Sequence, residues 1–287
     1  MPNMKNIKTK LDSVSNMKQL FNSMELCDSE KLKRTEKQIS SYKSFMEDFF
    51  GILWSTNLDL FKNTDYIKNN KKLILVFSTD KWFCGNYNVK LFKNICDEYC
   101  DNKSNVDVFC VWKKSFEFFA KKWFNIVWYL KLSDEFWLED LSEVYDFLLS
   151  SISNNIYWDV SVYLNMYKSK VNSKTVNYAV YPLEEDSLNN FVGDFWINFT
   201  RSSEPVCLGV ESDQFRYDME KQLLQYMLYG AALQNKVAEL KSRISAVQNI
   251  KNTSEFVVKD LKLSFNRLCQ SLLTREVSNI MELKAVY

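Results

Sequence analysis

No residue in this 287-residue sequence is a histidine. Its absence removes the Ser/His/Asp and Cys/His nucleophile systems, the His-ligated zinc and iron sites, and the commonest general base near neutral pH. An excess of charge is missing too. With 37 basic against 36 acidic residues the formal net charge is +1, so no bulk field attracts nucleic acid or an anionic membrane, and partners must be recognised locally. The longest apolar runs, such as 124–132, fall well short of the ~20 residues that cross a bilayer. The opening MPNMKNIKTK has no signal-peptide core, so a cytoplasmic protein is expected. The seven cysteines, at 27, 84, 96, 100, 110, 207 and 269, form no CxxC pair and no disulfide-like spacing, which fits reduced thiols. Richness in Lys, Asn, Phe and Tyr reads as an AT-rich genome and says nothing of function.

Glycine (5) and proline (3) are also scarce, and their distribution permits very long helices. From Gln214 to Val286 the only helix breaker is Gly230. Apolar residues fall there at Leu233, Val237, Leu240, Ile244 and Val247, and again at Val257, Leu261, Phe265, Leu268 and Leu272. Spacings of four and three in alternation are a heptad stripe. At 1.5 Å per residue the helix would run roughly 100 Å and needs a partner along its length. Met4 to Phe50 contains neither glycine nor proline and repeats the pattern at Ile7, Leu11, Val14, Met17, Phe21 and Met24, then at Ile39, Tyr42, Met46, Phe49 and Leu53. An antiparallel coiled coil of the two ends follows, with two separately packed helices as the plainer alternative. Pro2 and Asn3 suit a first turn, and the helix should fray between Gly51 and Asn63.

Between the ends the periodicity changes. LILVFST (73–79), VDVFCVW (106–112) and NIVWYL (125–130) read as strands, each followed by a helical stretch, the third helix capped by Ser133 or Asp134. Strands around 158–167 and 176–181 form a hairpin across KSKVNSK. Alternating strands and helices predict a largely parallel sheet, so the fold class is α/β: a central Rossmann-like domain over 70–200, between coiled-coil helices at 1–62 and 210–287. The polar segment after Pro182, from LEEDSLNNF to SSEPVC, reads as the exit from that domain.

No cofactor is expected. The turn after the first strand, STDKWFCGNYN, has one glycine, so neither G-x-G-x-x-G nor G-x-x-x-x-G-K-[ST] is present. Cys84 has no histidine to activate it, which favours a packed thiol over a nucleophile. Cys96 and Cys100 lie one turn apart but lack further ligands, so a metal is not expected. Lys31, Lys33 and Arg34 interrupt the first stripe; as a bare charge run they are a solvated face.

This order, two paired ends interrupted by an α/β body, resembles the γ subunit of F-type rotary ATPases over nearly the whole chain. KNIKTKLDSVSNMKQLFNSMELCDSEKLKR is similar to that family's opening helix, with Val14, Asn16 and Met24 in place. LILVFSTDKWFCGNYN is similar to its first strand and turn, keeping Asp80, Cys84, Gly85 and Asn88 but carrying Asn86 where a second glycine is expected. Tyr181, Pro182 and Leu183 sit where the family closes its last strand. FNRLCQSLLTREVSNIMEL is similar to the final signature through Asn266, Gln270, Thr274, Glu276 and Ile280; Cys269 replaces an arginine, for which Arg267 is a nearby substitute, and Arg243 holds its place. The divergence suits the F1-like ATPases of wall-less bacteria, some of which are linked to surface movement.

The resemblance implies a non-catalytic rotor shaft inside three α-type and three β-type nucleotide-binding subunits, with an ε-type rotor subunit and a membrane rotor ring or stator proteins as further partners. By family position the ring contacts are Lys31, Lys33, Arg34, Arg243, Arg267, Gln270, Thr274 and Glu276. Lys31, Lys33 and Arg34 are implied to face an acidic loop of the catalytic subunits. A location on the cytoplasmic membrane face through the complex is also implied. The rival from another class is a non-motor coiled-coil scaffold carrying an α/β interaction module; a third reading is a cysteine enzyme centred on Cys84.

Overall fold

The computed structural model describes residues 4–55, 71–167, 173–183, 185–195, 197–198 and 213–285. In chain order the elements are α1 (Met4–Ser55), β1 (Lys72–Phe77), α2 (Tyr87–Glu98), β2 (Val106–Val111), α3 (Lys113–Lys121), β3 (Asn125–Leu130), α4 (Ser142–Ser153), β4 (Asp159–Tyr167), β5 (Ser173–Tyr181), α5 (Glu185–Phe195) and α6 (Asp213–Ala285). The mixed α/β class with long terminal helices is as expected. The chain divides into two compact units, one of Met1–Glu30 with Arg243–Tyr287 and one of Lys31–Ser242.

The larger unit holds a five-stranded sheet in the order β3-β2-β1-β4-β5. β1 runs parallel to β2 and β4, and β2 to β3, while β5 returns antiparallel along β4. Alternation decides which side each residue faces. Leu73, Leu75 and Phe77 join a core with Phe109, Val162 and Leu164, roofed by Met46, Phe50, Leu223, Met227 and Leu228 of α1 and α6. Ile74 and Val76 face the other way, onto Leu91, Ile95 and Phe119 of α2 and α3. A strand covered on both faces can be apolar throughout, which is why LILVF shows no polar alternation.

Two expectations fail here. Ser133 and Asp134 cap no helix: a 3-10 turn at Leu138–Leu141 comes first and α4 starts at Ser142. Asp134 is drawn instead into ion pairs with three lysines. The segment after Pro182 is not a plain exit, because α5 forms in it and buries Leu188, Phe191 and Phe195. Their three- and four-residue spacing is a helical stripe that the surrounding Glu, Asp and Asn residues obscure. The turn at 168–172, the first-turn residues Pro2 and Asn3, and the fraying beyond Ser55 lie outside the described residues.

The smaller unit is a pair of helix segments. Lys18 bonds Glu255 at 2.7 Å, Glu25 accepts from Gln248 at 2.8 Å and pairs with Lys251, and Arg243 Nε lies 3.2 Å from Asp28. Partners that ascend on one helix descend on the other, so the segments are antiparallel. Ile7, Phe21 and Val247 are buried, while Leu11, Val14, Met24, Ile244, Leu261, Phe265 and Leu268 are half-buried. Two helices leave the flanks of a seam open, so most seam residues of such a pair are only partly covered. Leu233, Val237 and Leu240 are fully buried in the larger unit, where the sheet adds a further layer.

Val257, Met17 and Leu272 leave the stripe and are exposed. Val258 and Ser254 take the inward positions near Val257, a one-residue phase difference that spacing alone does not resolve. Leu272, 45% exposed, fails for another reason. Cys269 already lies 3.8 Å from Met4, the first described residue of α1, so no described residue stands opposite Leu272.

Candidate partner-contact surfaces

The turn after β1 and the α6 stretch around Asn235 form one hydrogen-bonded block. Asn235 donates from Nδ2 to the Ser78 carbonyl at 3.0 Å and accepts at Oδ1 from the Tyr87 hydroxyl at 2.6 Å. Thr79 donates to Glu239 at 2.5 Å, and Ser242 donates to the Cys84 carbonyl at 2.8 Å. Lys241 lies over the Tyr167 ring, 5.6 Å from its centroid. Burial, with the charge of Glu239 nearby, pushes the Tyr87 phenol well above its ordinary range, so it stays a donor.

This block occupies the place where α/β sheets of this type hold ligands. The strand order reverses at β1 and β4, and the crevice outside their C-terminal ends is the usual binding position. Here α6 fills it with side chains. Gly85 (φ 57) supplies the left-handed turn, and Asp80 accepts from the backbone N–H of Lys113 and Lys114 at 3.1 and 2.8 Å, capping α3. Cys84 is buried against Tyr87 and Ala238. Among the described residues no group of three His, Cys, Asp or Glu side chains is placed to hold a metal.

Beside this block lies a charge cluster that sequence reading missed. Asp134 pairs with Lys31 at 2.9 Å, Lys81 at 2.7 Å and Lys236 at 3.4 Å, and Lys236 also bonds Glu239 at 2.8 Å. Burial pushes the Asp134 carboxyl up, but the hydrogen bonds of Lys81 and Lys31 and the charge of Lys236 outweigh it and hold the group well below the usual carboxylate range. The available signal was Lys236 and Glu239, the only charged residues in the run AALQNKVAEL.

The eight residues expected to contact a partner are not brought together. Lys31 is committed to Asp134, and Arg243 to the buried Asp28. Arg34 lies 3.7 Å from Glu135, and Lys33 is exposed. Arg267, Gln270 and Glu276 are exposed; Thr274, also exposed, donates to the Gln270 carbonyl. From Gln270 to Met281 every residue of α6 is exposed, including Leu272, Leu273, Val277, Ile280 and Met281. A bare apolar-bearing helix is marginal in water.

The sequence matches the family model described as ATP synthase over residues 3–282. Among curated relatives, the ATP synthase gamma chain of Amoebophilus asiaticus is 25% identical over 294 residues, covering 98% of this chain and 97% of that protein. The ATP synthase gamma chain of Mycoplasma mycoides is 22% identical over 286 residues, covering 98% of each. In solved structures the fold is similar to a chain of the Euglena gracilis mitochondrial ATP synthase OSCP/F1/c-ring complex in rotational state 3 (TM-score 0.70, 15% identity, 99% of this chain and 94% of that one). It is also similar to a chain of the rotor of that enzyme in rotational state 1 (TM-score 0.65, 13% identity, 94% and 98%).

Proposed function

This chain belongs to the ATP synthase family, and we propose that it serves there as the gamma-type central stalk, turning inside a ring of three α-type and three β-type nucleotide-binding subunits. The observation that carries the reading is the head-to-tail helix pair whose α6 segment, from Gln270 to Met281, is exposed all round while bearing apolar side chains. Such a segment needs a surrounding surface.

The chain's own part in the reaction is mechanical. Each orientation of an asymmetric helix pair touches open and closed conformers of the ring subunits unequally, and only unequal contact can shift their populations. Leu273, Val277 and Ile280 supply apolar contact, and Arg267, Gln270, Thr274 and Glu276 supply polar contact. Lys33 and Arg34 meet acidic side chains of the ring subunits through charge-assisted bonds. Lys31 and Arg243 act within the chain, fastening Asp134 and Asp28. The sheet-bearing unit carries an ε-type rotor subunit, and no ATP is turned over on this chain. Among the described residues no helix is long and apolar enough to cross a membrane, so any attachment to a membrane face runs through the complex.

Co-expression with the α-type and β-type subunits tests the reading. The α-type and the β-type subunits are each expected to co-purify at three copies per chain, and the chain alone is expected to show no ATPase activity. Deleting Gln270 to Tyr287 should leave the unfolding free energy within ~0.5 kcal/mol, because the described side chains removed are exposed, yet weaken assembly or torque. A truncated complex rotating with full torque refutes the assignment. A scaffold would bring down no such ring.

A further inference from the structure

β3 forms one edge of the sheet, with no strand beyond it among the described residues. β2, one strand in, is buried throughout, whereas Asn125, Trp128 and Tyr129 of β3 are exposed. Val108 stands opposite Ile126 and Phe109 opposite Trp128, so Val127 is an extra residue in the edge strand. Such a bulge resets the alternation of side chains. Trp128 therefore falls on the α4 face, its ring centroid 5.8 Å from that of Phe147, and Tyr129 on the α3 face, 5.6 Å from Phe116.

The turn into β3 closes α3 as a Schellman motif. The Trp123 N–H donates to the Ala120 carbonyl and the Phe124 N–H to the Phe119 carbonyl, both at 3.2 Å, and the Phe119 and Phe124 rings meet at 5.3 Å. Trp123 occupies the left-handed position of that motif, with φ 61, where glycine is usual. A bulky residue there is strained, and at 89% exposure its ring gains little cover within the chain. Tryptophan is enriched among the residues that anchor protein interfaces.

Charge narrows the choice of partner. The one acid of α3, Glu117, pairs with Lys113 at 3.4 Å. Lys121 and Lys122, beside Trp123, are exposed and in no ion pair among the described residues. The exposed acids Glu143 and Asp146 belong to α4, on the opposite face of the sheet. A second copy pairing antiparallel along β3 would set α3 beside α3, four lysines (113, 114, 121 and 122) against one glutamate on each. Lysines at a sheet edge oppose self-pairing of this kind.

We propose that the β3 edge and Trp123 receive an extended acidic segment of a partner protein. Main-chain hydrogen bonds to an edge strand hold such a segment, and its side chains alternate between the two faces. Acidic side chains lie on the α3 face, toward Lys121 and Lys122, and apolar ones on the α4 face, against Trp128 and Phe147. Trp123 anchors one end. The inference does not rest on the stalk assignment, and it is tested on the chain without ring subunits.

The probe is a fluorescein-labelled peptide of about seven alternating glutamates and valines, enough to span β3 at ~3.3 Å per residue, titrated with the full chain and read by anisotropy. One saturable site is expected, with the alternating lysine and valine peptide binding at least ~10-fold more weakly. Lys121→Glu with Lys122→Glu should reverse that preference. Trp123→Gly should raise the urea midpoint, because glycine suits the turn, and yet weaken the glutamate peptide several-fold. Phe256→Ala, which removes an aromatic 72% exposed in the other unit, should change neither. No binding of the glutamate peptide, equal affinity for the two peptides, or unaltered binding in Trp123→Gly overturns the proposal. So does a lowered urea midpoint in Trp123→Gly, which would make the ring part of the fold. A parent chain that sediments as a dimer, and as a monomer in Trp123→Gly, would give the edge to a second copy and overturn it too.

Discussion

Gly230 lets α1 and α6 approach where the core is densest. A Cβ built there would stand 2.3 Å from the Tyr42 hydroxyl oxygen, 2.6 Å from Cζ and 2.9 Å from Cε1. Tyr42 is buried and donates to the Tyr226 carbonyl at 2.9 Å, one turn before Gly230. Glycine inside a helix ordinarily costs about 1 kcal/mol relative to alanine, so Gly230→Ala carries a built-in gain. Against it stand overpacking, about 1–3 kcal/mol, and loss of the buried hydrogen bond, about 1 kcal/mol. The net expectation is a loss of about 1–3 kcal/mol. Gly51, also helical, has nothing within 4 Å of its Cβ position, so Gly51→Ala should show the propensity gain alone. Urea unfolding of the full chain compares the two, and Tyr42→Ala combined with Gly230→Ala should be less destabilised than the single changes predict together. If Gly230→Ala stabilises as much as Gly51→Ala, the close approach is not real.

Arg243→Met leaves the buried Asp28 carboxylate, 3% exposed, without its cation and should cost about 3–5 kcal/mol by urea unfolding, whereas Arg243→Met with Asp28→Leu should recover most of the loss. Asp134 titrates lower in the folded chain than when unfolded, so its stabilisation is present above the ordinary carboxylate pKa and is lost as pH falls through the folded value. The urea midpoint of the parent should therefore drop as pH falls below about 4, where the unfolded carboxyl protonates. In Asp134→Asn, lower at pH 7, that part of the slope should vanish.

The architecture was legible because its signals are long or repeated. Neither long helix contains a proline, heptad spacing recurs on both, and short continuous apolar runs such as LILVF, bounded by polar residues, read as strands buried on two faces. The helix α5 was hidden because its three core residues, Leu188, Phe191 and Phe195, sit among acids and amides. The candidate site was legible only as surface chemistry. Charge alone could not show that Lys31 and Arg243 turn inward, since their partners Asp134 and Asp28 are set by which helix faces meet. Nor could spacing show that Leu272 lies past the start of the described part of α1, a property of register between segments far apart in sequence.

Register is what the buried polar block between β1 and α6 specifies. Apolar seams tolerate a shift of one helical turn, about 5.4 Å, because leucine replaces leucine at little cost. Sliding α6 by four residues in one direction would bring Ala231, Asn235 and Ala238 to the places of Asn235, Glu239 and Ser242. The Ser78 carbonyl would then lose its partner, and the Tyr87 hydroxyl and the Cys84 carbonyl would each lose one of two; a buried group left unpaired costs about 1–3 kcal/mol. The opposite slide brings Arg243 to the place of Glu239 at the Thr79 hydroxyl and Leu240 to the place of Lys236, so Asp134 loses that cation. Polar residues at a helix seam fix register in this way at some expense of stability. A chain that must carry torque gains from the exchange, because a helix free to slip by a turn would release the load.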